Sequence, residues 1–127
     1  MDTRRTIIAV VDDEESVRRA LERVLRASGM QVVTYPGGRE FLLSLQTSCP
    51  HCLVLDLHMP QLSGFEVLEI LVQTPHRLPV VVVTGHDSPE ARARALGWGA
   101  SAYLTKPIDD NLLLGEIAGA LAEHGEA

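Results

Sequence analysis

The chain has 127 residues, with 11 Lys and Arg against 17 Asp and Glu, and a formal net charge of −6 at pH 7. This length predicts a single domain spanning residues 1–127. The longest apolar run, Ile7–Val11, is far shorter than the roughly 20 residues that a membrane-spanning helix needs. We therefore expect no membrane segment, no secretory signal and a cytoplasmic location. The negative charge argues against direct nucleic-acid binding, which depends on clustered Lys and Arg.

Five short apolar runs are predicted to be β-strands. Several are continuously apolar, Val80–Val83 most plainly, and this pattern is typical of a sheet covered on both faces. The predicted strands are Ile7–Val11, Gln31–Tyr35, Cys52–Asp56, Leu78–Thr84 and Ala102–Thr105.

Amphipathic segments between these runs are predicted to be helices. Glu15–Ser28 places an apolar stripe on one face and is followed by Gly29. A capping box at Ser63–Glu66 begins another helix, with Phe65, Leu68 and either Leu71 or Val72 facing inward. Ser88 and Pro89 begin a helix to about Leu96 that has only alanines and one leucine to bury. Asp109–Glu123 is the last helix, with an inward stripe of Leu113, Ile117 and Leu121.

Strands and helices thus alternate along the whole chain. Such alternation in a short chain predicts an α/β fold, five βα units wound in both directions around a parallel sheet. Cys49 and Cys52 form a CxxC sequence, but a structural zinc site needs about four ligands and no second pair is present. We expect Cys52 to be a small buried residue at the start of a strand.

Ligands of open α/β sheets bind beyond the carboxyl ends of the strands. Five polar side chains are predicted to meet there: Asp12, Asp13, Asp56, Thr84 and Lys106. Each has an ordinary alternative when taken alone. One of the first two aspartates fits a helix N-cap, the threonine a plain strand residue and the lysine a solvated cation.

The carboxylates predicted to lie together at this edge need a nearby cation, because they repel one another. Two carboxylates about 4 Å apart repel by roughly 4 kcal/mol at an effective dielectric of 20. Lys106 offers one positive charge, whereas a divalent ion offers two, and oxygen ligands with room for water suit Mg²⁺. A carboxylate, a metal and an amine around one point favour phosphoryl transfer.

The chain resembles the receiver domain of bacterial two-component response regulators over nearly its full length. The stretches that carry the resemblance are Val11–Glu14, Leu55–Pro60 with Ser63–Gly64, Val83–Gly85 and Tyr103–Pro107. Arg39–Leu42 and Gly85–Asp87 are most similar to receivers joined to a helix-turn-helix output domain. The resemblance implies a flavodoxin-like strand order of 2-1-3-4-5.

The resemblance also implies an acceptor and a metal site. Asp56 would accept a phosphoryl group from the phosphohistidine of a sensor histidine kinase. Asp13, Asp56 and the backbone carbonyl of His58 would hold Mg²⁺ (or Mn²⁺), and Asp12 would hold it through water. Such a protein is not a conventional enzyme, because it catalyses only its own phosphorylation and dephosphorylation.

The resemblance further implies a switch. Lys106 would pair with the phosphoryl oxygens, Thr84 would move to donate its hydroxyl to them, and Tyr103 would turn inward behind it. The Lys106–Pro107 peptide bond would be cis, although only about 5–6% of X–Pro bonds are. We expect phosphorylation to change the face formed by the helix from Pro89, the last strand and the last helix.

Three further residues, two histidines and a tryptophan, carry separate expectations. His58 and His86 follow Asp56 and Thr84 by two positions each, close to where water approaches the acyl phosphate. A side chain that titrates near pH 6.5 would make the lifetime of the phosphate pH-dependent there. The alternative is two exposed loop histidines. Trp98 is expected to be solvent-exposed in a turn.

The resemblance implies a signalling role but does not identify its output. The expected partners are a sensor histidine kinase, a DNA-binding output domain in a longer transcriptional regulator, and a second copy in a phosphorylation-dependent homodimer. A stand-alone receiver that contacts other proteins is the other option.

Two other classes of protein share parts of this pattern. Aspartate-nucleophile phosphatases also place an Asp beside Mg²⁺ at a strand end, but they carry a second Asp where this chain has His58. A flavin or nucleotide binder needs a phosphate-binding loop after the first strand, where Asp12 and Asp13 would repel phosphate.

Overall fold

The computed structural model describes residues 5–75 and 77–123. Its strands are β1 (Ile7–Val11), β2 (Gln31–Tyr35), β3 (Cys52–Asp56), β4 (Val80–Thr84) and β5 (Ala102–Thr105). Its helices are α1 (Glu15–Ala27), α2 (Gly38–Ser44), α3 (Gly64–Val72), α4 (Pro89–Gly97) and α5 (Asp110–Glu123). No helix in these ranges is long and apolar enough to cross a membrane.

The five strands form one parallel sheet in the order β2-β1-β3-β4-β5. This confirms the predicted fold class and strand order. From β1 the chain winds to β2 on one side, and from β3 it winds to β4 and β5 on the other. The carboxyl ends of β1 and β3 are therefore neighbours at the point where the winding direction switches, which is where ligands of such sheets bind.

The sheet separates two apolar layers. Alternate strand residues point to opposite faces, so Val11, Leu55 and Val82 pack with α2 and α3, while Val10, Val54 and Val83 pack with α1 and α5. This two-sided burial explains why the strands are apolar without interruption. The predicted inward stripe of α5, namely Leu113, Ile117 and Leu121, is buried as expected.

Some boundaries and side chains differ from the sequence expectations. β4 begins at Val80 rather than Leu78, because Pro79 has no N–H to donate to the sheet. α1 ends at Ala27 and α5 begins at Asp110, each one residue inside the prediction. Of the two alternatives predicted for the last inward residue of α3, Leu71 is buried and Val72 is exposed.

Two expectations around α4 are wrong. Leu96 is 40% exposed, so Ala95 is the residue of α4 that is fully buried. Trp98 follows α4 and is half-buried against the core rather than solvent-exposed. The small alanine side chains of α4 leave apolar core surface uncovered, and the large indole ring covers it. Cys52 is buried as predicted, and Cys49 is exposed.

Candidate functional site

The site residues are placed by the ends of four strands. Asp12 follows β1 directly, Asp56 and Thr84 are the last residues of β3 and β4, and Lys106 follows β5. Parallel strands end at the same edge of the sheet, so side chains far apart in sequence meet there. Asp13 follows Asp12, so all five predicted residues lie at this edge.

Asp12, Asp13 and Asp56 form an acidic cluster in which one oxygen from each carboxylate lies within 4.8 Å of the others. Asp12 and Asp56 are 0% and 2% exposed, whereas Asp13 is exposed. Neither of the first two aspartates is the N-cap of α1. That position is Glu14, whose backbone N–H donates to the Asp12 carboxylate at 2.9 Å. The N-cap alternative is therefore wrong.

Lys106 is the cation that faces this cluster. Its Nζ lies 2.9 Å from Asp12 Oδ2, 3.7 Å from Asp56 Oδ1 and 3.6 Å from Glu14 Oε1. Burial lowers the pKa of Lys106, but the hydrogen bond and charge of Asp12, with the charges of Asp56 and Glu14, raise it above its ordinary value. The ammonium is therefore held charged, with its closest contact on Asp12.

Asp56 is left with uncompensated negative charge around it. Burial and the charge of Asp12 raise the pKa of Asp56 to about 7, against the lowering effects of Lys106 and the backbone N–H of His58. One lysine therefore does not neutralise the three carboxylates. A clustered, oxygen-only donor set with excess negative charge fits a divalent cation such as Mg²⁺.

Thr84 is fully buried, and its hydroxyl has two partners. The backbone N–H of His86 donates to Thr84 Oγ1 at 3.0 Å, and His58 Nδ1 lies 3.1 Å from the same oxygen. Both histidine side chains are exposed, and their ring centroids are 4.6 Å apart. Burial, followed by the charges of His86 and Lys106, lowers the pKa of His58.

Tyr103 lies on β5 beside this edge and is 8% exposed. Its hydroxyl donates to Asp87 Oδ1 at 3.0 Å, and the guanidinium carbon of Arg92 lies 5.6 Å from its ring centroid. Tyr103 is thus already directed toward the start of α4. The Lys106–Pro107 peptide bond is cis, as the resemblance implied.

Gly64 fixes the loop that follows Asp56. A Cβ at this position would lie 2.3 Å from the carbonyl oxygen of Asp56 and 2.7 Å from Leu57 Cα. The Gly64 N–H donates to the carbonyl of Leu57 at 2.9 Å, and the predicted Ser63–Glu66 capping box is present. The start of α3 therefore lies directly against the backbone of the acidic cluster, and only glycine allows that approach.

Sequence reasoning did not assign roles to several of these residues. The sequence did not predict that Glu14 contacts Lys106, and it did not predict why a glycine is needed at position 64. The capping box was the available signal for Gly64, because it places this residue at the first helical position. The sequence does not predict the contact between Asp87 and Tyr103, since that contact depends on how α4 packs.

The fold and the geometry of this edge correspond to a class of signalling proteins. Residues 8–118 match the receiver domain of response regulators, and the chain belongs to this family. This family match does not support the alternative of an aspartate-nucleophile phosphatase. The family is that of phosphorylation-activated switches in two-component systems.

The chain is similar to several curated bacterial proteins. Nodulation protein W of Bradyrhizobium diazoefficiens is 35% identical over 116 residues, which are 91% of this chain and 51% of that protein. Response regulator TodT of Pseudomonas putida is 32% identical over 121 residues, 95% of this chain and 53% of that protein. The DNA-binding transcriptional regulator NtrC of Salmonella typhimurium is 34% identical, with 96% of this chain and 26% of that protein covered. The chain thus spans about half the length of the first two relatives and about a quarter of the third.

Solved structures show the same fold over nearly the whole chain. A response regulator receiver protein from Burkholderia phymatum is 39% identical, with a TM-score of 0.82 and 93% and 96% of the two chains covered. A CheY-like receiver from Methanospirillum hungatei has a TM-score of 0.89 at 26% identity, with 95% and 97% covered.

Proposed function

We propose that this chain, residues 1–127, is a single receiver domain that accepts a phosphoryl group on Asp56 from the phosphohistidine of a sensor histidine kinase. The observation that carries the proposal is the position of Asp56 at the end of β3, 2% exposed and within a cluster of carboxylates that faces Lys106. A carboxylate oxygen of Asp56 forms the bond to phosphorus. The P–N bond of the phosphohistidine breaks, and its electron pair returns to the imidazole.

The same proposal assigns the metal ligands. Asp13 and Asp56, with the backbone carbonyl of His58, would hold Mg²⁺ or Mn²⁺, and Asp12 would hold it through water. The ion supplies positive charge that offsets the repulsion among the carboxylates and the incoming phosphoryl group. Support comes from the clustering of the three carboxylates and from the raised pKa of Asp56, to which burial and then the charge of Asp12 contribute.

Lys106 and Thr84 are proposed to bind the phosphoryl oxygens. Lys106 Nζ lies 3.7 Å from Asp56 Oδ1, so a small change in the side chain brings the ammonium to a phosphate on Asp56. Thr84 ends the strand next to β3 and carries a hydroxyl that can donate to the same group. Both contacts are charge-assisted and form only with the phosphorylated aspartate.

Labelling with a small phosphodonor, acetyl phosphate, and Mg²⁺ tests this assignment. We expect one phosphoryl group per chain on Asp56, lost in Asp56→Asn and kept in Glu90→Gln, an exposed acidic control in the first turn of α4. Labelling of Asp56→Asn to the same extent would contradict the assignment. Continuous turnover of phosphate esters would favour the hydrolase alternative.

The output is proposed to follow from the face of α4, β5 and α5. Tyr103 and Asp87 connect β5 with the start of α4, and α4 fully buries one residue, Ala95. A shift of Thr84 toward the phosphoryl group would leave space for Tyr103 to turn inward. This movement would shift the conformational equilibrium of the face formed by α4, β5 and α5. Amide exchange of α4, β5 and α5 should change when beryllofluoride, a phosphoryl mimic, is added with Mg²⁺. No change there would contradict the proposed output face.

We further propose that the face controls a DNA-binding output domain or a homodimer in a cytoplasmic regulator. NtrC is described as a DNA-binding transcriptional regulator, and this chain covers 26% of its length. The acidic balance of the chain, a net charge of −6, leaves direct contact with DNA to such an output domain.

His58 and His86 are proposed to influence the lifetime of the phosphate, because the His58 ring contacts Thr84 and the exposed His86 ring lies 4.6 Å from that of His58. An imidazole ordinarily titrates near pH 6.5, so a histidine here would make the lifetime pH-dependent, and burial lowers the pKa of His58. The pH profile of dephosphorylation between about pH 6 and 8 should therefore differ between His58→Asn and the unmodified protein. An unaltered profile would count against a role for His58.

A further inference from the structure

The hydroxyl of Thr84 is already engaged when no phosphoryl group is bound. Its oxygen accepts the backbone N–H of His86 at 3.0 Å and lies 3.1 Å from His58 Nδ1. A hydroxyl has a single proton to donate. If that proton is donated to His58, it is not available to an oxygen on Asp56 until the contact breaks.

The imidazole of His58 is held in place for this contact. Its ring packs edge-on against Phe65, with centroids 6.2 Å apart and planes at 83°. Phe65 is covered by the guanidinium of Arg94, 4.2 Å from the ring centroid. The centroid of the His86 ring lies 4.6 Å from that of His58. Contacts from α3 and from the loop after β4 therefore orient the Nδ1 atom.

We propose that His58 is a positioning residue that accepts the Thr84 hydroxyl proton in the phosphate-free state and so opposes the switch. The inference rests on the proposed function and adds to it that binding of a phosphoryl group on Asp56 requires the Thr84–His58 hydrogen bond to break. Removing the acceptor therefore strengthens phosphoryl-mimic binding. The side chain of His58 is exposed, so its replacement does not open the core.

The test measures the affinity of the protein for beryllofluoride in the presence of Mg²⁺. We expect His58→Leu, which has no acceptor, to bind roughly three- to tenfold more tightly, the equivalent of one net hydrogen bond. His58→Asn, whose side-chain oxygen can replace Nδ1 as acceptor, should return the affinity toward that of the unmodified protein. Equal or weaker binding by His58→Leu would overturn the proposal, since weaker binding means that His58 supports the switched state.

A double-mutant cycle separates this contact from a general effect of residue 58. In a Thr84→Val background, which lacks the hydroxyl, His58→Leu should change beryllofluoride affinity by less than about twofold. The same tightening with and without the hydroxyl would contradict the proposed contact. Failure of the unmodified protein to bind beryllofluoride would instead contradict the proposed function.

A spectroscopic measurement on the unmodified protein does not depend on any variant folding. The ¹⁵N chemical shift of His58 Nδ1 reports whether this nitrogen accepts a hydrogen bond. It should move toward the value of a free acceptor when beryllofluoride and Mg²⁺ are added. An unchanged shift at saturating beryllofluoride would show that the contact persists in the switched state and would overturn the proposal.

Discussion

The two ends of the sheet are built from the same strands but carry different chemistry. At the amino ends, polar groups are paired: His51 Nδ1 accepts the Ile7 N–H at 3.0 Å, and the Pro79 carbonyl accepts the Leu53 N–H at 3.0 Å. At the carboxyl ends, three carboxylates cluster beside one lysine, and burial with the charge of Asp12 raises the pKa of Asp56 to about 7. The paired groups at the amino ends stabilise the fold. At the carboxyl ends, the fold holds carboxylates close together although they repel one another. This difference predicts opposite effects of substitutions at the two ends.

The largest expected effect is that of Asp56→Asn on folding stability when divalent cations are absent. The pKa of Asp56 rises from 3.8 to about 7 on folding, so its contribution to stability is present below about pH 4 and is lost as the pH rises through 7. At 1.36 kcal/mol per pKa unit, the loss is on the order of 4 kcal/mol. In chelator, Asp56→Asn should therefore be more stable than the unmodified protein near pH 8, and the difference should shrink toward pH 5.

Denaturant unfolding at the two pH values measures this effect. Asp110→Asn, an exposed acidic control in the first turn of α5, should show no comparable difference. Mg²⁺ should narrow the gap at high pH by stabilising the unmodified protein, because binding to the folded state alone favours folding. A constant difference at both pH values would show that the acidic cluster is compensated without a cation.

The next largest effect is expected at Gly64. A methyl group there would meet the backbone of Asp56 and Leu57 at 2.3 and 2.7 Å, and backbone cannot rotate away as a side chain can. Gly64→Ala should destabilise the protein by about 1–3 kcal/mol or more and weaken Mg²⁺ binding, because the loop after β3 must shift. Denaturant unfolding and Mg²⁺ titration measure the two effects.

Gly115 provides a matched control for that substitution. It lies in α5, and a Cβ there would meet nothing within 4 Å. Gly115→Ala should stabilise the protein by about 0.5–1 kcal/mol through helix propensity and leave Mg²⁺ affinity unchanged. Equal effects of the two substitutions would mean that Gly64 is not needed for the approach of α3.

At the amino end, the effect of losing a paired group is smaller. His51→Ala removes the acceptor of the Ile7 N–H and should cost about 1 kcal/mol of stability. His51→Asn, which retains an acceptor, should recover part of it. Neither change should alter Mg²⁺ binding, because His51 precedes β3 at the opposite end from Asp56. Altered Mg²⁺ affinity would show that the two ends are not independent.

The sequence predicted much of this architecture because its signals are local. Continuous apolar runs define the buried strands, and Ser63 and Glu66 define the start of α3 through their own hydrogen bonds. Leu96 and Trp98 were wrongly placed, since α4 has too few apolar residues for periodicity to determine its inward face. The Lys106–Asp12 and His58–Thr84 contacts join strands far apart in sequence, so their distances depend on packing that no local pattern encodes.

The smallest expected effect concerns Tyr103, which connects the acidic edge to α4. Tyr103→Phe removes the hydroxyl that donates to Asp87 at 3.0 Å but keeps the ring that Arg92 covers. We expect a loss of about 0.5–1 kcal/mol, because one partly exposed hydrogen bond is removed, and faster amide exchange at the start of α4. Tyr35→Phe is the control, since the described residues show its ring packed against Phe41 and no hydrogen bond from its hydroxyl. If both variants exchange alike at α4, the connection between β5 and α4 depends on ring packing and not on the hydroxyl.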